Sequence, residues 1–131
     1  MQSDVSIIAK TIYGEARGEG YVGMLAVATV IFNRARGDKS LLAKVCLKPK
    51  QFSCWNSTDD IEIKEQKPWK LCEKLAQTMW DNIFKPYQFK KIKPTYYLTY
   101  ELYMSPKCPS WARGVEGEIV GKHIFLQLKN W

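Results

Sequence analysis

A mainly helical α+β domain with a small β-hairpin near its C-terminal end is the fold class that the sequence predicts, and three observations predict it. Apolar residues at Val5, Ile8, Ala9, Ile12, Tyr13 and Ala16 recur at the spacing of one helix face. The stretch YVGMLAVATVIFNRA, residues 21–35, is apolar nearly all round, as befits a helix at the centre of a domain. In GEIVGKHIFLQL the period changes, with branched and aromatic residues on either side of Gly121 and Lys122, the pattern of a two-stranded hairpin.

Taken in order, the first helix has Ser3 or Asp4 as its natural N-cap. Its stripe leaves Glu15 one position off the buried face, and Gly18 with Gly20 makes continuing the helix costly. The central helix follows. DKSLLAKVCL, 38–47, reads as a short helix that Pro49 stops. QFSCWNSTDD, 51–60, reads as a loop of aromatic and small polar residues. A second long amphipathic helix, with Pro68 in its first turn, places Trp69, Cys72, Ala76, Met79, Trp80 and Ile83 on one side and is expected to run until Pro86 stops it. The basic run KKIK, 90–93, and the aromatic segment TYYLTYELYM, 95–104, lead into the hairpin. Repeats and low-complexity linkers are absent, and 131 residues suit one domain spanning 1–131.

Composition narrows the partners. No run of about 18 apolar residues could span a bilayer, so membrane insertion is not expected. The opening MQSDVSIIAK lacks the basic start and unbroken apolar core of a secretory signal, so none is expected. Twenty Lys and Arg against thirteen Asp and Glu give a net charge of +7, which favours encounter with nucleic acid, anionic lipid or bacterial wall polymers without choosing among them. Such encounters weaken as salt rises.

Cys46, Cys54, Cys72 and Cys108 lack the short paired spacing of structural zinc sites, and His123 is the single histidine. The expectation is no metal, no cofactor and reduced thiols. Cysteine or serine nucleophiles would want a histidine base, and His123 lies in the hairpin, where a packing role is expected. GEARGEG has the wrong spacing for a dinucleotide fingerprint, and no Walker-type loop is present.

Carboxylates remain. Glycoside cleavage needs a carboxylic acid that keeps its proton near neutral pH, which partial burial against apolar or aromatic walls provides. Glu15 fits, beside the helix stripe, near Tyr13, where the backbone opens into glycine. Five Trp, seven Tyr and five Phe offer surfaces for sugar rings, notably Phe52 and Trp55 in one loop and Tyr96, Tyr97, Tyr100 and Tyr103 in another, although many such rings are core.

Three segments carry a family likeness. IYGEARGEGYVGMLAVATVIFNRA, 12–35, resembles the opening of the catalytic domain of spore cortex-lytic enzymes and related bacterial and phage cell wall hydrolases, including an asparagine and arginine like Asn33 and Arg34. PKQFSCW, 49–55, resembles the family's glutamine, phenylalanine and serine loop, and CPSWARGVEGEIVGKHIF, 108–125, its proline and tryptophan segment and closing hairpin. The chain departs from the pattern in TYELYMSPKCPSW, where Glu101 and Tyr103 stand near positions at which the family often has a histidine and tyrosines.

The resemblance implies a lysozyme-like fold and cleavage of peptidoglycan between N-acetylmuramic acid and N-acetylglucosamine, by lytic transglycosylation or, alternatively, hydrolysis. It implies Glu15 as the catalytic acid. Expected substrate-binding residues are Glu19, Gln51, Phe52, Ser53, Tyr96, Tyr97 and Trp111, with Arg113 nearby. Glu19, Asp59, Asp60 and Glu101 are candidates for a second carboxylate. The expected partner is bacterial peptidoglycan rather than nucleic acid, met by a monomer at the cell wall. If the chain is a phage lysin, it reaches the wall or periplasm from the host cytoplasm. The rival reading is a non-catalytic module holding peptidoglycan or nucleic acid through KKIK and neighbouring tyrosines.

Overall fold

The computed structural model describes residues 2–129. Helix α1, Asp4–Ala16, begins at Ser3, whose hydroxyl accepts from the Ser6 N–H, satisfying one of the free donors of the first turn. Its buried face carries Ile8, Ile12 and Tyr13, all without exposed surface. Helix α2, Gly20–Arg34, runs through the middle of the molecule with Met24, Val27, Ala28 and Ile31 buried. A single 3₁₀ turn, Lys39–Leu41, leads into the short α3, Leu42–Leu47, as the sequence predicts.

Helix α4, Gln66–Trp80, packs against α1 with Cys72, Leu75, Ala76 and Met79 buried. It ends well before Pro86. Asn82 adopts φ +59°, and the Ile83 N–H reaches back to the Thr78 carbonyl, a left-handed close that asparagine tolerates. Ile83, expected on the buried stripe, is therefore outside the helix and 65% exposed.

Tyr13 ties the two helices together. Its hydroxyl accepts from the N–H groups of Lys64 and Glu65 at 2.9 and 3.0 Å, on the approach to α4, while its ring meets Trp69 edge-on.

The β element has three strands where two are expected. β1, Tyr96–Thr99, passes directly into the five-residue helix α5, Tyr100–Met104. β2, Gly117–Val120, and β3, His123–Leu126, form the predicted hairpin around Gly121 and Lys122, with Gly121 at φ +61°. The sheet is antiparallel in the order β1-β3-β2, and Tyr97 lies opposite Phe125. The end of α2 sets the entry to β1. Asn33 donates its side-chain amide to the Pro94 carbonyl at 2.9 Å, and Arg34 donates Nε to the Thr95 carbonyl at 2.5 Å. Those two bonds bring the sheet to the helical core.

All four cysteines are free thiols. Among the described residues no helix is long and apolar enough to cross a membrane, and no group of His, Cys, Asp or Glu gathers as a metal site.

Candidate active site

Glu15 stands in the last turn of α1, half-buried, at a cleft of about 860 Å³. The neighbouring Gly14 determines what can approach it. A Cβ there would fall 2.6 Å from Cys54 Cβ and 2.9 Å from its Sγ, so only glycine lets the 3₁₀ turn Ser53–Trp55 lie this close to α1. Trp55 holds the turn in place by donating Nε1 to Thr11 Oγ1 at 2.8 Å.

Three donors then converge on the carboxylate. The Cys54 N–H reaches Oε2 at 2.9 Å and the Ser53 hydroxyl reaches the same oxygen at 3.3 Å. The Tyr97 hydroxyl donates to Oε1 from β1. Burial, then the adjacent Glu15, pushes the Tyr97 phenol well above its ordinary range, so it remains a donor at neutral pH.

Arg34 forms part of the cleft wall, its guanidinium 4.7 Å from the Phe52 ring centroid and 4.6 Å from that of Tyr96. Burial draws its pKa below the usual arginine range, opposed by Tyr96, Tyr97, Cys46 and Glu15. Two aromatic faces compensate a guanidinium held away from water.

Of the residues expected here, Gln51, Ser53, Tyr96, Tyr97 and Trp111 do line the cleft with Glu15. Phe52 does not. It is 2% exposed and packs in the helical core beneath Arg34. Glu19 also lies outside the lining, with its carboxylate against His123 at 3.4 Å. Asp60 pairs with Lys10 at 2.7 Å, and Asp59 and Glu101 are exposed elsewhere on the surface. Arg113 donates to the Cys108 carbonyl, stapling its own loop.

His123 packs its ring edge-on against Tyr97, as expected of a histidine in the hairpin, and it also lines the cleft. Lys50, Thr99, Leu102 and Lys129 join it there. No local pattern marks these residues, since separate loops and strand ends bring them together.

A family model described as cell wall hydrolase matches residues 18–126, beginning three residues after Glu15. The spore cortex-lytic enzyme of Bacillus subtilis (strain 168) is 30% identical over 129 residues, covering 95% of this chain and 38% of that enzyme. That of Bacillus cereus is 39% identical over 54 residues, covering 40% of this chain and 21% of the enzyme. The chain thus spans well under half the length of these curated relatives.

Among solved structures, the catalytic domain of the germination-specific lytic transglycosylase SleB from Bacillus anthracis superposes with a TM-score of 0.65 at 26% identity, covering 97% of this chain and 96% of that one. The catalytic domain of the Bacillus cereus SleB protein gives 0.68 at 24% identity, covering 95% and 89%, and supports the same mainly helical fold. A family match over most of the chain and a shared fold along nearly all of it converge: the chain belongs to the cell wall hydrolase family.

Proposed function

We propose that the chain cleaves the glycan strand of peptidoglycan between N-acetylmuramic acid and N-acetylglucosamine as a lytic transglycosylase, with Glu15 as the catalytic acid. The observation that carries this reading is that Glu15 is the one carboxylate among the described residues lining the cleft. Hydrolysis by the usual routes employs a second carboxylate, as base toward water or as nucleophile. Transglycosylation needs one acid and the sugar's own hydroxyl. The SleB domain whose fold this chain shares is itself described as a lytic transglycosylase.

The cradle suits both states of such an acid. A backbone N–H can only donate, so Cys54 keeps Oε2 as an acceptor and the transferable proton belongs on Oε1. The Tyr97 hydroxyl at Oε1 can turn, donating to the carboxylate or accepting from the acid. In the first step the Oε1 proton passes to the glycosidic oxygen as its bond to the muramic acid C1 breaks. In the second, Oε1 takes the proton of the muramic acid 6-hydroxyl while that oxygen bonds to C1. The product is a 1,6-anhydro end, and Glu15 is again an acid.

Substrate contacts follow from the lining. Trp111, 43% exposed and tilted against Tyr96 with ring centroids 5.3 Å apart, offers a platform for a sugar ring. Gln51 Oε1, buried with no hydrogen-bond partner, is placed for an N–H such as that of an acetamido group. In this reading the enzyme acts as a monomer on the wall polymer rather than on nucleic acid.

The test is to digest peptidoglycan and weigh the products. Anhydro ends are expected, whereas reducing ends would make the enzyme a hydrolytic muramidase. Glu15→Gln should melt at the wild-type temperature and lose roughly 10²- to 10⁴-fold in rate, the usual contribution of an acid–base group. Wild-type clearing by Glu15→Gln protein would end this reading.

A further inference from the structure

Glu19 and His123 do not touch Glu15, yet a series of contacts joins them to it. The Glu19 carboxylate faces His123 Nδ1, and both side chains are less than a fifth exposed. The imidazole meets the Tyr97 ring edge to face, with centroids 5.5 Å apart and planes at 81°. Tyr97 also stacks on Phe125 at 5.4 Å and gives its hydroxyl to Glu15.

Two glycines flank the Glu19 side chain. A Cβ on Gly23 would fall 2.4 Å from Glu19 Cβ, and one on Gly121 would come within 3.5 Å of Glu19 Oε1. The first turn of α2 and the hairpin turn at Gly121 lie close to Glu19, whose carboxylate faces the imidazole. A carboxylate so placed fixes which ring edge faces it, and with that the rotation of the ring.

We propose that Glu19 and His123 are positioning residues for the catalytic carboxylate and act through Tyr97, an inference that rests on the chemistry assigned above to Glu15. Glu19 fixes the imidazole, the imidazole limits the tilt of the Tyr97 ring, and the Tyr97 hydroxyl holds Glu15 Oε1 in place. Misplacing a reacting group by 1 Å can cost about 10²-fold in rate, so small changes of ring tilt register in turnover.

The test compares Glu19→Ala and His123→Ala, each alone and combined with Tyr97→Phe, in kcat, KM and melting temperature on peptidoglycan. Each single change should lower kcat on the order of 10-fold while KM stays within about twofold. In the Tyr97→Phe background the same change should alter kcat by less than about twofold, because the route through the hydroxyl is already cut. An equal loss in both backgrounds, or one carried by KM, overturns the proposal. Glu19→Gln, which preserves shape, should give the same pattern in weaker form and replaces any variant that fails to fold.

A second readout needs no activity. The chain has one histidine, so its imidazole nitrogen resonances are identified without ambiguity. Nδ1 should carry the proton in the parent protein and lose that preference in Glu19→Ala, and the Tyr97 hydroxyl proton should shift with it. If the parent protein leaves peptidoglycan intact, the functional reading fails by itself, and these resonances still decide the positioning. An unmoved Tyr97 hydroxyl resonance overturns it.

Discussion

Cys54 serves the cleft through its backbone, and its thiol is chemically quiet for a physical reason. Burial first, then the neighbouring Glu15, raises its pKa far above the ordinary 9.0, as burial also raises Cys46 and Cys72 to about 12. Below pH 9 the folded and unfolded chains both hold these protons. Above it the unfolded chain releases protons that the folded chain keeps, so stability falls as pH rises from about 9 toward 12. The melting temperature should decline over that range, with a shallower slope in Cys46→Ala, and alkylation of these three thiols should be slow until the protein unfolds. A pH-independent melting temperature up to pH 11 would contradict the assignment. At this scale the position of Glu15 at the cleft is legible, because a glutamate ending an apolar stripe at a glycine is a local pattern. The contacts of Tyr97 with Glu15 and of His123 with Glu19 are not, because each depends on which strand lies beside which. Phe52 was misplaced because a loop segment has no fixed period to say which side chains turn inward.

Among the elements, the junction of α1 with the Ser53–Trp55 turn controls the site most directly. Gly14→Ala would drive a methyl group into Cys54, at 2.6 Å from its Cβ, and the turn must retreat. Overpacking of this kind costs roughly 1–3 kcal/mol. The retreat also withdraws the Cys54 N–H and the Ser53 hydroxyl from Glu15, so turnover should fall more steeply than stability alone explains. Denaturant unfolding together with wall-clearing rates measures both, and parent-like activity in a destabilised Gly14→Ala protein would show that the turn is not needed for catalysis. Helices α1, α2 and α4 and the β2–β3 hairpin were legible from apolar period, caps and the Gly121 turn. β1 was hidden because YYLT passes directly into α5 with no turn signal to set it off as a strand. The end of α4 was hidden because Asn82 closes a helix as effectively as the more conspicuous Pro86 four residues on.

For the molecule as a whole, the net charge of +7 favours encounter with anionic polymers, and a cleft of about 860 Å³ opens beside Glu15. The fold class was legible because the helical part is built from segments close in sequence. The complete site was not, since it joins a helix end, a loop and a strand. Glu15 meets Ser53, Cys54 and Tyr97 across sequence separations of 38, 39 and 82 residues. Those distances along the chain order events in time. Local helices form early, whereas contacts that close long loops must first overcome the entropy of closure. After dilution from denaturant, the helical signal in the far ultraviolet should return before the ability to cleave peptidoglycan, and the gap should close only as β1 docks. Simultaneous recovery of both signals would show that the strand is in place from the outset. A newly made chain would then hold its helices while the cleft is still incomplete, and any lytic activity would come last.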